Sequence, residues 1–342
     1  MPKMRCDEKS LKMPPGAWRE TTRFMLPVRW LILSILLLLV SCEPGPKPLT
    51  IAGGPSGGTY QGFAEALAET VASLGSQHFK VEGTGGSVSN LRSINRRQHD
   101  LGLVYAGDAY LGRRGELSGV QPATKNVRAL CRLYGAAAQL LVPANSSFRD
   151  PRQPPGARVA IGNPGSGTAI AAERYFTSLG MWQSIVPIYV GFKMGMDELQ
   201  KGRVAALWLV VGAPNQSVSR WFSKYDLRLL PLGEAADQSS FWADYPFYEP
   251  VTIAAATYPG QTAEVASFMD STLLLAGLQV QETQIYQLLK QLFSAAGRKK
   301  MQQLHPLGKE LTLANGLRGI HIPLHNGAEH FWKEQGRFMP AR

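Results

Sequence analysis

The chain has 342 residues, 44% hydrophobic and 18% charged, which is enough apolar content for about two packed domains and too much for a disordered chain. Lys and Arg outnumber Asp and Glu by 36 to 25, a net charge of +11, yet no run of five or six basic residues occurs. The densest pairs, Arg96-Arg97 and Lys299-Lys300, sit among polar, helix-like residues and read as solvated faces, so no nucleic acid is expected as a partner.

Along the chain, Trp30 to Val40 (WLILSILLLLV) is an apolar run of 11 residues behind Arg29, too short for an ordinary membrane span, and it reads as a signal peptide. Leu39-Val40-Ser41-Cys42 resembles the bacterial lipobox, so residues 1–41 form the expected leader, Cys42 the lipidated first residue and 42–48 a Pro/Gly tether. Met25 offers an internal start with a shorter leader. An uncleaved anchor and a plain secreted chain are the alternatives; each places the protein outside the cytoplasm, and the lipobox reading makes it a periplasmic, membrane-tethered lipoprotein of the cell envelope. The leader carries seven basic and three acidic residues, so its loss lowers the charge to about +7. Processing leaves Cys131 alone beyond the anchor, excluding an internal disulfide; in the apolar run VRALCRLYG it reads as a small buried hydrophobe.

From Leu49 the pattern alternates strand and helix. LTIAGG leads to a helix from Thr59 to Leu74, FKVEGT to one from Val88 to Gln98, and LGLVYAG is a buried strand. After the Pro-rich loop 145–157 a second cycle begins: RVAIG precedes a helix near Thr168 to Leu179, IVPIYVG one near Met194 to Lys201, and AALWLVVG and LRLLPL are further strands. The tail from Thr262 reads as mostly helical. AAAQLLVPA and YEPVTIAAATYPG are expected to cross between two α/β lobes, with lobe 1 formed by 49–136 and 254–342 and lobe 2 by 137–253.

Four glycine turns each follow a strand and open a helix: GGPSGGTY from Gly53, GTGGSVSN from Gly83, GNPGSGT from Gly162 and GAPNQS from Gly212. Gly admits positive φ and close approach, Ser or Thr caps the helix, and the free N–H groups of the first turn favour a small anion. A Walker-type loop needs Lys where Thr168 follows Gly167, and the three-glycine dinucleotide spacing is absent, so no nucleotide and no cofactor is expected. Ser166 as a nucleophile lacks the G-x-S-x-G frame, although chain order does not exclude a triad. His321, His325 and His330 are not spaced to share a helix face, and no metal site is expected. In open α/β sheets ligands settle at strand C-termini, which puts turns from both lobes on one cleft.

These turns, in order with VEGTGGSVSNLRSINRRQHDLGLVYAGDAY, VAIGNPGSGTAIAAERYF, LQKGRVAALWLVVGAPNQSV, TYPGQ and HPLGKELTLANGLRGIHIPLHNGAEHFW, resemble the TAXI family of solute receptors for tripartite ATP-independent periplasmic (TRAP) transporters, from about Leu49 to Trp332. The resemblance implies a two-lobed α/β periplasmic binding fold of type II, with an interlobe cleft and two crossover hinges. It implies no chemistry on the ligand, a small organic anion such as glutamate or 2-oxoglutarate, and delivery to a sodium-driven TRAP permease. Carried over, Gly58, Thr59, Tyr60, Gly85, Gly86, Ser87 and Asn90 form one wall of the site; Gly165, Ser166, Gly167, Thr168, Pro214 and Asn215 form the other, with Tyr258 on the hinge side. Asp108 takes the place of an acidic residue that accepts from a ligand amine, or else caps its helix. Arg96, Arg97 and His99 before the third strand, and Ala136 to Ala138 at the crossover, depart from the family pattern and bear on ligand identity. A sensory lipoprotein and an extracytoplasmic serine hydrolase are the other readings.

Overall fold

The computed structural model describes residues 48–339 except Ser76 and Pro154. The leader, Cys42 and the tether up to Lys47 lie outside the described residues. The chain opens with β1 (Leu49–Ala52), α1 (Thr59–Leu74), β2 (Phe79–Glu82), α2 (Ser87–Asn95), β3 (Leu101–Tyr105) and α3 (Ala106–Arg114). The long strand β4 (Val127–Pro143) leads to β5 (Arg158–Ala160), α4 (Gly167–Ser178), β6 (Val186–Ile188), α5 (Phe192–Gln200), β7 (Ala206–Val211), α6 (Gln216–Lys224) and β8 (Leu227–Leu230). Two short helices, α7 (Gly233–Asp237) and α8 (Phe241–Asp244), precede β9 (Glu249–Ile253) and β10 (Val265–Gly277), and α9 (Glu282–Leu292), α10 (Ala295–Leu304) and α11 (Asn326–Glu334) close the described chain.

The elements follow their residue patterns. In α1 the buried residues Tyr60, Phe63, Ala64, Leu67 and Val71 recur at helical spacing on one face. Strands β3 and β7 are buried at every position, as expected of strands covered on both faces, and so lack the alternation of a half-exposed strand.

The sheet runs β2-β1-β3-β10-β4-β7-β5-β6, with β8 also on β4 and β9 also on β10. The β1 and β7 sides of this curled sheet are the two lobes, and β4 and β10 connect them. Ala137 marks the exchange in β4: it pairs with Met269 on one side and Val211 on the other. Met269 marks it in β10, pairing with Ala137 and with Glu249. The register of β10 on β4 shifts twice, between Thr272 and Leu273 and between Leu274 and Leu275, and such bulges increase local twist.

One expectation is corrected here. Val265–Gly277, read as helix, is the return strand β10, and the second crossing therefore lies at Met269 rather than in YEPVTIAAATYPG, whose β9 folds back on β10 as a hairpin. The run FMDSTLLLAG is covered on both faces, and a buried strand of that kind carries no period that separates it from a buried helix. Cys131 is fully buried in β4, and burial pushes its thiol well above the usual range, which makes it unreactive in the folded chain.

The core passes through the junction. Tyr175, Trp208 and Phe268 pack with ring centroids 5.3 to 5.9 Å apart. Their polar ends are satisfied: Trp208 Nε1 donates to Thr168 O at 3.1 Å and Tyr175 Oη to Leu232 O at 2.9 Å. The tail helices α9 and α10 pack on α1.

Candidate functional site

The turns after β1, β2 and β5 end at helix N-termini that converge on one cavity between the lobes. Gly58 is the N-cap of α1, Gly86 that of α2 and Ser166 that of α4; Phe192, the first residue of α5, also reaches the wall. Gly86 has φ of 103°, a backbone conformation that a residue with Cβ adopts only under strain. Ser166 Oγ accepts from Ala169 N at 3.2 Å and so serves as a helix cap. The cavity holds about 30 Å³, room for one or two waters.

The lobes are closed over it. Tyr105 Oη donates to Val210 O at 2.6 Å, Gly212 N and Asn215 Nδ2 both donate to Thr59 Oγ1 at 3.2 and 3.1 Å, and Ser217 Oγ donates to Gly57 O at 3.2 Å. At Gly167 the approach leaves no space for a side chain: a Cβ there would lie 2.6 Å from Asp108 Oδ2 and 2.7 Å from Tyr105 Cδ2.

Of the residues singled out from sequence, Gly58, Thr59, Tyr60, Gly85, Gly86, Ser87, Ser166, Gly167 and Thr168 line this cavity. The others stand elsewhere. Asn90 is a fully buried clamp, donating to Ala52 O, Gly53 O and Leu103 O and accepting from Thr84 Oγ1. Gly165 supplies a φ of 68° to its turn. Asn215 caps α6 by accepting from Ser217 N and Val218 N, and with Pro214 it borders a wider, solvent-open groove of about 880 Å³ on the far side of the first turn. Tyr258 donates to Gln139 Oε1 at 2.8 Å and stacks on Phe222.

Asp108 is fully buried and does not face the cavity. It makes no cap bond to α3, in whose first turn it lies, and both its oxygens are engaged: Arg174 Nη2 donates to its Oδ1 at 3.0 Å and Ser87 Oγ to its Oδ2 at 2.6 Å. Arg174 also donates to Tyr248 Oη at 3.1 Å, and its guanidinium lies 5.4 Å from the centre of the Phe247 ring. A second buried carboxyl, Asp270, accepts weakly from Gly107 N. Burial, with Asp108 nearby, pushes Asp270 well above the usual carboxylate range.

Asp270 yields a pH prediction. A carboxyl raised on folding binds its proton more tightly in the folded chain, so its contribution to stability is full below the unfolded value of about 4 and is lost as pH rises through the folded value. Asp270→Asn is therefore expected to gain stability relative to wild type as pH rises above 4 in urea titrations at successive pH values; a constant gap would show that Asp270 holds its proton no more tightly in the folded chain than in the unfolded one.

Sequence reasoning did not find Tyr105, Tyr134, Asn163, Val210 and Val211, which complete the wall with Pro55, Phe192 and Ala136, the last singled out from sequence only as a departure at the crossover. Tyr105 and Tyr134 lie within strands whose local pattern marks them only as core; Asn163 was in plain view inside GNPGSGT. No charged side chain is among the described residues that line the cavity. Tyr60 and Tyr134 have hydroxyls that are buried without a well-formed hydrogen bond, and burial pushes both well up, so they stay protonated.

The fold has counterparts among solved structures. The periplasmic binding protein BugD matches with TM-score 0.50 at 15% identity over 85% of this chain and 98% of that one. A protein described as a periplasmic transporter matches with TM-score 0.50 at 14% identity over 86% of this chain and 93% of that one. The aliphatic sulphonate binding protein SsuA of Escherichia coli matches with TM-score 0.48 at 16% identity over 85% and 84%. This chain has the two-lobed type II periplasmic binding fold, a mixed α/β architecture on a curled sheet, which it shares with BugD. The NMT1-like family pattern matches residues 51–336, nearly everything the structure describes, and the chain belongs to that family.

Proposed function

We propose that the protein is an extracytoplasmic solute receptor of the TAXI type, which closes its lobes on a small organic anion and presents it to a TRAP-type permease. The observation that carries this reading is the convergence of helix N-termini from both lobes on one enclosed cavity without a charged side chain in its wall. Each helix start offers N–H groups without internal partners and a partial positive charge, so an anion bridging the lobes is stabilised by both. In this reading the leader directs export, Cys42 carries the lipid, and the anchor keeps the receptor at the membrane its permease occupies.

Catalysis has no support in the wall. Ser166 Oγ is engaged as a helix cap, and neither a histidine nor a carboxylate is among the described residues lining the cavity. The reading predicts stabilisation by mass action: a bound anion at a thousandfold excess over its Kd adds about 4 kcal/mol. A thermal-shift panel of amino acids and mono- and dicarboxylates is expected to contain at least one compound that raises Tm by several degrees. A flat panel would remove the receptor reading.

A further inference from the structure

We infer that the solute is a small monocarboxylate whose remainder carries one neutral hydrogen-bonding group, by chemical class a 2-hydroxy or 2-oxo acid, with no place for an ammonium group or a second carboxylate. The inference rests on the receptor reading and narrows its ligand.

The first argument is a count of charges. The positive potential of the cavity comes from the N-termini of α1, α2 and α4, each helix being at least nine residues long, and from no Lys, Arg or His among the described lining residues. A helix start is worth about half a unit charge, so the three, with α5 entering the wall through the Phe192 ring, exceed what one carboxylate needs and fall short of two. A second carboxylate would be buried among Phe192, Val210 and Val211 with no cation to meet it, and an uncompensated buried charge is strongly unfavourable.

The ammonium is excluded by the state of Asp108. This is the one acidic residue that the sequence offered to a ligand amine, and both of its oxygens are engaged, by Ser87 Oγ at 2.6 Å and Arg174 Nη2 at 3.0 Å. It is shut away from solvent and absent from the wall. An α-amino acid would enter with its cation facing helix N-termini and no anion to balance it.

The neutral polar group is called for by two tyrosines. Tyr60 is 5% exposed and Tyr134 0%, both line the cavity, and neither hydroxyl makes a well-formed hydrogen bond, the nearest hydroxyls being those of Tyr105 and Thr272. Tyr105, beside them, spends its hydroxyl on Val210 O. Leaving a buried hydroxyl unpaired costs its desolvation, and a hydroxyl or keto oxygen on the ligand would offset that cost. The rest of the wall, Ala136, Val210, Val211 and Phe192, suits a short alkyl remainder, and the cavity of about 30 Å³ has to widen by some separation of the lobes to admit it.

The test is calorimetric titration of the purified protein with lactate, pyruvate, propionate, glutamate, 2-oxoglutarate and succinate at one salt concentration. Lactate or pyruvate is expected to bind at least a hundredfold tighter than the three compounds with a second charged group, and propionate about tenfold more weakly than the better of the two. Tyr60→Phe or Tyr134→Phe removes a hydroxyl that makes no well-formed protein hydrogen bond, so the fold is expected to persist; at least one of them should cost about tenfold in lactate or pyruvate affinity and leave propionate unchanged. If glutamate or 2-oxoglutarate binds as tightly as lactate, the inference falls while the receptor reading stands. If both tyrosine variants bind all the acids like wild type, the hydroxyl assignment is overturned. If no compound binds, the receptor reading falls with the inference.

Discussion

Gly167→Ala is expected to fold normally and to bind its solute ten- to a hundredfold more weakly. Gly167 is the first residue of α4, and its backbone is one that alanine adopts without strain. The added methyl, however, would stand 2.6 Å from Asp108 Oδ2, 2.7 Å from Tyr105 Cδ2 and 2.8 Å from Ser87 Cβ, all on the opposite lobe. Those neighbours are fixed: Ser87 and Asp108 are joined at 2.6 Å, and Tyr105 is tied to Val210. The clash is relieved by rotation about β4 and β10, which opens the cleft. Overpacking costs about 1–3 kcal/mol, and a closed state disfavoured by that amount lowers apparent affinity in proportion. Gly165→Ala is the control, since its strain is local to a φ of 68° and no atom lies within 4 Å of the added Cβ. Calorimetric titration of both variants checks the prediction; wild-type affinity in Gly167→Ala would contradict it.

Arg174→Met is expected to lose about 3–5 kcal/mol of stability, the usual cost of leaving one member of a buried pair without its partner. Arg174 is 6% exposed and Asp108 0%, so solvent does little to screen the charge left behind. The pair joins α4 to α3 across the lobes beside Asp270. Asp108→Asn in the Arg174→Met background removes the orphaned charge and is expected to recover most of the loss. Urea unfolding of the three chains checks this; a loss under about 1 kcal/mol would mean that water reaches the pair.

What the sequence made legible was local. A strand end, a glycine turn and a capping hydroxyl are written within eight residues, and three of the four turns chosen on that basis reach the cavity. The fourth, at Pro214 and Asn215, has the same local form but meets the side of the first turn through Thr59, a placement set by how the lobes close. Strand β10 was missed because burial on both faces erases its period. Arg174 was missed because a cation in mid-helix reads as solvated, and its partner Asp108 is 66 residues away. Tyr105 and Tyr134 look like core from their neighbours, and only the packing of α1 on the sheet puts Tyr60 in the same wall.

The central claim is that the two lobes rotate about β4 and β10 to close on a small anion. Spin labels at Glu69→Cys on α1 and Ser223→Cys on α6, both exposed, report the distance across the cleft in a chain whose Cys6 and Cys42 are replaced by serine. The account predicts that saturating lactate or pyruvate, or whichever acid gives the largest thermal shift, narrows the pulsed-EPR distance distribution and moves it to shorter values. An identical distribution with and without that acid would contradict it.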